Sequence, residues 1–277
     1  MKTLGYYNGK YDELENMSVP MNDRVCWFGD GVYDAGPCRN YKIFAIDEHV
    51  DRFFNSAGLI KMQVPCTKAE LKALLQDLVN KMDTGDLFIY FQVTRGTAVR
   101  THEFPENVPA NLWVMLKPMG TPDLYKKIRL LTQEDTRFLH CNIKTLNLLP
   151  SVMAAQKAKE AGCQEAVFHR GDRVTECAHS NCHILKDGIL YTAPADNLIL
   201  PGAHLIRICK KLEIPVSETP YTLKEMMDAD EVLVTSSTKL CVAANEIDGT
   251  PVGGRAPETL KNILDAVMDE YMEETKA

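Results

Sequence analysis

The chain has 277 residues, of which 45% are hydrophobic and 25% are charged, and its formal net charge is −7. This balance is typical of a folded globular protein and not of a disordered or fibrous one. A chain of this length has room for two domains. Its acidic charge leaves no basic surplus to neutralise a phosphate backbone, so we expect no nucleic-acid partner.

Nine cysteines are spread along the chain without regular spacing, and an odd number does not make a disulfide framework. We interpret them as mostly free thiols in a reducing compartment. Residues 1–16 lack the apolar stretch of a signal peptide, and no run reaches the ~18 apolar residues of a membrane span. The sequence therefore predicts a cytoplasmic protein that does not associate with membranes.

Short strand-like runs alternate with turn signals in the first third of the chain. Strands are predicted at residues 5–7, 42–46, 88–94 and 112–116. One helix is predicted between them, because apolar positions from Leu71 to Met82 follow the helical period. Thr67 and Glu70 form the signature of a capping box at its start. We assign this apolar stripe to the core.

Pro118, Gly120 and Pro122 form a breaker-rich segment between two periodic regions, which favours a domain linker. We place a small N-terminal α/β domain at residues 1–118 and a larger C-terminal domain at residues 119–277.

The second half of the chain again mixes both kinds of element. Strands are predicted at residues 127–131, 165–169, 183–185, 189–192 and 231–234, and helices at residues 151–160, 204–212, 223–227 and 258–272. Asp187 and Gly188 predict a hairpin turn. The fold class is therefore α/β or α+β.

Lys144 and two asparagines interrupt an otherwise apolar stretch at residues 141–149. Such a lysine is either a surface residue whose stem packs on apolar neighbours or a desolvated amine suited to Schiff-base formation. The local sequence alone favours the surface lysine.

Several separated segments resemble the class IV, pyridoxal-phosphate-dependent aminotransferases, and especially the D-amino-acid (D-alanine) aminotransferases. In family order they are FGDGVYDA at 28–35, DEHVDRF at 47–53, IYFQVTRGTAVRTHEFPEN at 89–107, DTRFLHCNIKTLNLL at 135–149, RVTECAHSN at 173–181, DGILYT at 187–192 and VTSSTKL at 234–240. The resemblance implies fold type IV of pyridoxal-phosphate enzymes, with a larger C-terminal cofactor-binding domain, in a homodimer.

The resemblance also implies roles for individual residues. Lys144 matches the catalytic lysine that forms the Schiff base with pyridoxal 5′-phosphate and moves a proton to and from the substrate α-carbon. Glu176 matches the acidic residue at the pyridine nitrogen, where a carboxylate keeps the ring protonated. Arg52 matches the phosphate-binding arginine. Further cofactor-binding groups are expected at Ala203, His204, Ser236 and Ser237.

Four residues are assigned by the resemblance to substrate binding: Tyr33, Arg100, His102 and Thr238. Tyr33, Arg100 and His102 match the residues that hold the substrate α-carboxylate, the last two coming from the other subunit. A carboxylate fixed on one side of the cofactor selects the handedness of the α-carbon. The Arg100-x-His102 pair therefore favours D-amino acids.

The chain departs from the family pattern in three places. Cys177-Ala178-His179-Ser180 replaces a glycine and a serine-rich run, Ala203-His204 replaces Ile-Thr, and residues 35–37 replace larger side chains. These changes concern the ring surroundings, the phosphate site and the size of the substrate pocket respectively.

Cys177, His179, Cys182 and His183 form a compact set of soft ligands, which raises a metal site as an alternative. Strand alternation sends such side chains to opposite faces, and paired CxxC spacing is absent. We therefore expect no metal.

The favoured hypothesis is a D-amino-acid:2-oxo-acid aminotransferase that works by ping-pong transamination through Lys144. Its partners would be a D-amino acid and a 2-oxo acid. The alternatives are a branched-chain L-amino-acid aminotransferase, a 4-amino-4-deoxychorismate lyase of the same fold, and a non-catalytic relative.

Overall fold

The computed structural model describes residues 1–202 and 204–277. It divides the chain into two compact units, each built from several segments. Unit 1 contains Met1–Thr121, Ile143–Asn147 and Tyr271–Ala277, and unit 2 contains Pro122–Asn142 and Leu148–Glu270. The predicted cut after Pro118 places Lys144 in the second domain, whereas the short segment that carries it packs with unit 1.

Seven helices and fifteen strands are found in the described residues. The helices are α1 Arg24–Phe28, α2 Ile46–Leu59, α3 Lys68–Val79, α4 Leu149–Glu160, α5 His204–Lys211, α6 Leu223–Met227 and α7 Pro257–Glu274, with a 3-10 turn at Leu14–Asn16. The strands are β1 Leu4–Tyr7, β2 Lys10–Asp12, β3 Gly31–Arg39, β4 Lys42–Ile43, β5 Leu87–Thr94, β6 Asn111–Pro118, β7 Ile128–Glu134, β8 Glu165–Arg170, β9 Arg173–Cys177, β10 Asn181–Lys186, β11 Ile189–Thr192, β12 Val216–Ser217, β13 Glu231–Ser236, β14 Leu240–Ile247 and β15 Thr250–Pro251.

Unit 1 is an antiparallel sheet in the order β2-β1-β6-β5-β3-β4. Helices α2 and α3 contribute Phe53, Leu71 and Leu75 to its core, all of them fully buried. Thr67 and Glu70 form both hydrogen bonds of the capping box at the start of α3, which confirms that helix prediction.

The predicted strand at residues 42–46 is wrong beyond Ile43. Ala45 has a φ of 49°, a left-handed conformation that ends the strand, and α2 begins at Ile46. The sequence reasoning missed β3 because Asp34 to Cys38 are buried on both faces and show no polar alternation. It missed α2 because His49 and Ser56 are polar and yet buried on its inner side.

Unit 2 is a mixed sheet in the order β12-β11-β10-β13-β14-β7-β8-β9, with β15 paired to β14. The pairs β11 with β12, β14 with β7 and β7 with β8 are parallel. Asp187 and Gly188 both have positive φ between β10 and β11, which confirms the predicted hairpin turn. Strands β9 and β14 were not predicted. The mixed sheets and helices confirm the predicted fold class.

Helix α4 of unit 2 buries its small residues and exposes its large ones. Ala154 and Ala158 pack against β8, whereas Leu149, Val152 and Met153 are 70%, 61% and 55% exposed. Three large apolar side chains at this spacing lie on one face of the helix.

All nine cysteines are free. Across residues 1–202 and 204–277, none of the helices is both long and apolar enough for a bilayer crossing.

Candidate active site

Lys144 lies in a short segment that runs beside the start of β3 in unit 1. The N–H of Tyr33 donates to the carbonyl of Lys144 at 3.0 Å, and the N–H of Leu146 donates to the carbonyl of Gly31 at 3.1 Å. On the other side, the N–H of Lys144 donates to Ser56 Oγ on α2 at 3.2 Å. The backbone of the lysine is therefore fixed to both the sheet and the helix.

The side chain of Lys144 ends over an aromatic ring. Its Nζ lies 4.4 Å from the centre of the Tyr33 ring, and the ring of Tyr33 stacks on Tyr90 at 5.3 Å. None of the residues 1–202 and 204–277 forms a hydrogen bond or an ion pair with Nζ. The amine is thus oriented by the backbone of Lys144 and by Tyr33, and no carboxylate in the described parts of the chain forms an ion pair with it.

Arg52, on the inner face of α2, is held by a buried carboxylate of β3. Its Nε donates to Asp34 Oδ2 at 2.7 Å and its Nη2 donates to Asp34 Oδ1 at 2.8 Å, which is the two-point geometry of an arginine fork. His49 Nδ1 lies 2.8 Å from the same Oδ1. The side chain of Asp34 is 0% exposed and that of Arg52 is 25% exposed.

Burial by itself raises the pKa of Asp34, but the guanidinium of Arg52 and the imidazole of His49 outweigh it and hold that pKa far below its usual range. The carboxyl is therefore ionised, and His49 Nδ1 carries the proton of their hydrogen bond. Within the described parts of the chain, no residue accepts a hydrogen bond from Arg52 Nη1. This terminal nitrogen stays available for an anion.

Helix α2 brings the predicted phosphate residue and the predicted catalytic lysine to one place. Arg52 and Ser56 are four residues apart and lie on the same face of the helix. Ser56 binds the backbone N–H of Lys144, so Arg52 lies one helical turn from the residue that holds the lysine. Tyr33 completes the group through its contact with the lysine side chain.

Arg100 and His102 lie in the connection between β5 and β6, against the ring of Phe28. The guanidinium of Arg100 lies 5.1 Å from the centre of that ring, and the ring of His102 lies 5.2 Å from it. Arg24 of α1 supports the loop by donating to the carbonyl of Thr101 at 2.7 Å. The described contacts of unit 1 do not join this pair to Tyr33.

Glu176, at the end of β9 in unit 2, is buried and bonded at both oxygens. Its Oε1 accepts from Arg137 Nη1. Its Oε2 accepts from the amide of Asn181 at 3.2 Å and from the N–H of Leu200 at 3.0 Å. Asn181 and Leu200 also line a cavity of about 140 Å³.

Arg137 is enclosed by its partners. It donates to Asp135 from Nε and Nη2 and to the carbonyl of Leu198, and its guanidinium stacks on the ring of Phe168 at 4.7 Å. Burial lowers the pKa of Arg137, but Asp135 and Glu176 more than compensate and raise it. The guanidinium therefore keeps its charge next to Glu176.

Ser236 is the last residue of β13, and Ser237 and Thr238 lie in the turn that leads to β14. Ser236 Oγ accepts from the N–H of Lys239 at 3.1 Å, which fixes the turn. Lys239 Nζ in turn donates to the buried Glu165 at 2.8 Å. His179 Nε2 lies 3.0 Å from the same carboxylate. The departure from the family pattern at His179 is thus tied to the predicted phosphate turn.

His204 is the first residue of α5, and its Nε2 lies 3.3 Å from Glu270. Its role at a phosphate stays a prediction, and Ala203 lies outside the described residues. Cys177 and Cys182 are buried in the core of unit 2, and His183 binds the hydroxyls of Thr192 and Thr235. The part of the chain that the structure describes contains no cluster of three or more potential metal ligands.

The sequence reasoning missed five residues of these clusters: Asp34, His49, Ser56, Arg137 and Asn181. The sequence marks the first three. Asp34 is a polar residue directly after Tyr33 in an apolar run, and His49 and Ser56 are polar residues at the buried positions of α2. Arg137 and Asn181 had none beyond their place in the matched segments.

Comparisons with known proteins identify the family of the chain. The family model described as amino-transferase class IV matches residues 31–247. A D-alanine aminotransferase of Listeria monocytogenes is 41% identical over 94% of this chain and 93% of its own. The D-alanine aminotransferase of Bacillus licheniformis is 36% identical over 99% of both chains.

Solved structures with the same fold include two branched-chain aminotransferases. The enzyme of Thermoproteus uzoniensis has a TM-score of 0.87 at 24% identity and covers 98% of this chain and 96% of its own. The enzyme of Escherichia coli has a TM-score of 0.90 at 22% identity, with 100% and 96% covered. From the family match and the relatives together, the chain belongs to the class IV aminotransferase family.

Proposed function

We propose that this protein transfers the amino group of a D-amino acid to a 2-oxo acid, with pyridoxal 5′-phosphate as its cofactor and Lys144 as the residue that holds it. The observation that carries the proposal is the placement of Lys144. Its backbone is bound on two sides, its amine lies over Tyr33, and the described residues offer that amine no ion pair. A nucleophilic amine has to be positioned in this way without a carboxylate partner, because such a partner favours the protonated amine, which is not a nucleophile.

The donor set fits the cofactor. Arg52 offers a fixed guanidinium with one unbonded nitrogen, which suits a phosphate dianion. Glu176 offers a carboxylate that suits a protonated pyridine nitrogen. When bound, pyridoxal phosphate supplies the electron sink that lets the substrate α-carbon lose a proton. The turn at Ser236 and Ser237 and the start of α5 at His204 are the further phosphate donors of the proposal.

Lys144 then acts as the acid and base of the reaction. With cofactor and substrate bound, its free amine would take the proton from the substrate α-carbon and deliver a proton to the carbon that receives the amino group. The bond from its N–H to Ser56 and the bond from Tyr33 keep its backbone in place while the side chain moves. The ring of Tyr33 lies on one side of Nζ and limits where the amine can move.

Handedness is proposed to come from Tyr33, Arg100 and His102, which hold the substrate carboxylate, with Thr238 as a further donor. We assign Arg100 and His102 to the site of a second copy of this chain. The exposed apolar face of α4 supports a homodimer, and so does Val99, which is 81% exposed beside Arg100. A cytoplasmic location and the absence of membrane or nucleic-acid partners remain parts of the proposal.

A mixing experiment tests the shared site. Arg100→Ala and Lys144→Ala variants are each expected to be inactive as homodimers. After the two are unfolded and refolded together, each mixed dimer would contain one site with both native residues, so part of the activity should return. No recovery in a sample in which native mass spectrometry shows mixed dimers would contradict the assignment of Arg100 to the partner site.

The activity itself is tested by adding D-alanine and L-leucine separately to purified protein with bound cofactor and following the cofactor absorbance. We expect D-alanine to change the spectrum and, with 2-oxoglutarate present, to be converted to pyruvate. A response to L-leucine alone would contradict the proposal and favour the branched-chain alternative. No response to any D-amino acid, together with a borohydride-trapped adduct on Lys144, would also sink it.

A further inference from the structure

The carboxylate of Asp34 has no access to solvent, and yet it determines how Arg52 is presented. The two hydrogen bonds from Nε and Nη2 occupy the whole side edge of the guanidinium, at 2.7 and 2.8 Å. What remains is the terminal edge with Nη1. An arginine side chain has several rotatable bonds, and a fork bound on one edge loses most of that freedom.

His49 holds Asp34 from behind. Its Nδ1 lies 2.8 Å from Oδ1 of Asp34, and the imidazole is only 8% exposed. Gly36 makes room for the ring, because a Cβ at Gly36 would lie 2.7 Å from Nε2 of His49. Asp34 and Gly36 lie on the same face of β3, two residues apart. Gly36, one of the departures from the family pattern, therefore leaves room for the imidazole of His49.

We infer, on the basis of the proposed function, that Asp34 and His49 are positioning residues that set the direction of Arg52 toward the cofactor phosphate. Neither residue touches the phosphate itself. Asp34 acts through the arginine fork, and His49 acts through Asp34. The inner face of α2 thereby carries three linked functions, since Ser56 on the same face holds Lys144. One helix aligns the anion site and the reactive amine.

A purely Coulombic view predicts the reverse effect of Asp34 on phosphate. A buried negative charge next to Arg52 weakens the attraction of the guanidinium for an anion, so removing it would strengthen binding. Positioning predicts that removing it weakens binding, because Arg52 then has to be ordered by the ligand. The sign of the change separates the two.

The experiment compares two ligands on full-length protein freed of cofactor. Pyridoxal 5′-phosphate and pyridoxal differ only in the phosphate. We expect Asp34→Asn to lower the affinity for pyridoxal 5′-phosphate by about 10- to 100-fold, the effect of a lost charged hydrogen-bond pair, and to leave the affinity for pyridoxal unchanged. Asp51→Asn is the matched control. Asp51 precedes Arg52 on α2, and its ion pair among the described residues is with the exposed Lys68.

His49 provides a second pair of variants that keeps both bonds of Arg52. His49→Ala should lower the affinity for pyridoxal 5′-phosphate by about fivefold, as expected for one hydrogen bond. His49→Asn, whose amide nitrogen takes the place of Nδ1, should restore it. These variants decide the question if Asp34→Asn does not fold.

The outcomes separate the inference from the proposed function. An unchanged or higher affinity of Asp34→Asn for pyridoxal 5′-phosphate, or an equal loss for both ligands, would overturn the positioning role. The proposed function fails instead if wild-type protein binds neither ligand and forms no borohydride-trapped adduct on Lys144. A selective loss for the phosphorylated ligand, with rescue by His49→Asn, supports both.

Discussion

Each unit contains an arginine paired with a buried carboxylate, but the described contacts saturate the guanidinium in unit 2 and not in unit 1. In unit 1, Asp34 is hidden at 0% exposure and Arg52 keeps one unbonded nitrogen at 25% exposure. In unit 2, every nitrogen of Arg137 has a partner, and the guanidinium is 9% exposed beside Glu176 at 7%. The same two residue types thus leave one guanidinium nitrogen unbonded in the described part of unit 1 and enclose the whole guanidinium in unit 2.

The two pairs differ in how many hydrogen-bond donors of the guanidinium have a partner. A guanidinium has five donors, and Arg52 uses only the donors of one edge, whereas Arg137 is enclosed by Asp135, Glu176 and the carbonyl of Leu198. A ligand near Arg52 meets hydrogen-bond donors. A ligand near Glu176 would meet a carboxylate that the guanidinium of Arg137 keeps ionised. We expect variants to separate these two uses.

Lys144→Ala should have the largest effect, because both pairs are proposed to serve the cofactor that this residue holds. Loss of the positioned acid and base should lower transamination by about 10⁴-fold. Steady-state kinetics with D-alanine and 2-oxoglutarate measure it, and mass spectrometry after borohydride treatment should find no cofactor on the variant. Lys126→Ala, at an exposed position before β7, is the control. Activity close to wild type in Lys144→Ala would remove the lysine from the mechanism.

Glu176→Gln tests whether the carboxylate of unit 2 is catalytic or only a partner for Arg137. We expect kcat to fall roughly 10²- to 10³-fold, since preorganised charge next to the reacting system is lost. Stability should fall by only about 1–3 kcal/mol, because Arg137 keeps Asp135 as a counter-ion. Urea unfolding and kinetics are measured on the same preparation.

Glu258→Gln, at the exposed start of α7, controls for the change of one charge in unit 2. If Glu176→Gln loses stability and keeps its rate, the carboxylate only pairs with Arg137, and the contrast between the two units disappears.

The smallest expected effect is on the pH dependence of stability and concerns His183. Its described hydrogen-bond partners are the hydroxyls of Thr192 and Thr235, and no described carboxylate pairs with it. Burial lowers its pKa from 6.5 to about 4. Between these values the unfolded chain binds a proton that the folded protein refuses, so stability falls as the pH falls, by up to about 3 kcal/mol near pH 4. His183→Gln, which cannot gain the proton, should show a weaker decline in urea unfolding across this range. Parallel declines in both proteins would show that His183 contributes nothing to the acid sensitivity.

Much of the fold was readable from local patterns. The capping box at Thr67, the Asp187-Gly188 hairpin and helix α6 at residues 223–227 all lie where the sequence predicted them. These features depend on residues within a few positions of one another. The matched segments likewise identified the family, because each motif is continuous in the chain.

By itself the sequence determined the family, the candidate residues Lys144, Glu176 and Arg52, and where most of the local structure begins and ends. The tertiary structure alone decided how those residues are held. Asp34 and Arg52 are far apart in sequence, as are Arg137 and Glu176, and their pairing depends on β3 packing against α2 and on the order of strands in unit 2. Burial then fixes their charges, and burial is a property of the packed fold that no short stretch of residues contains.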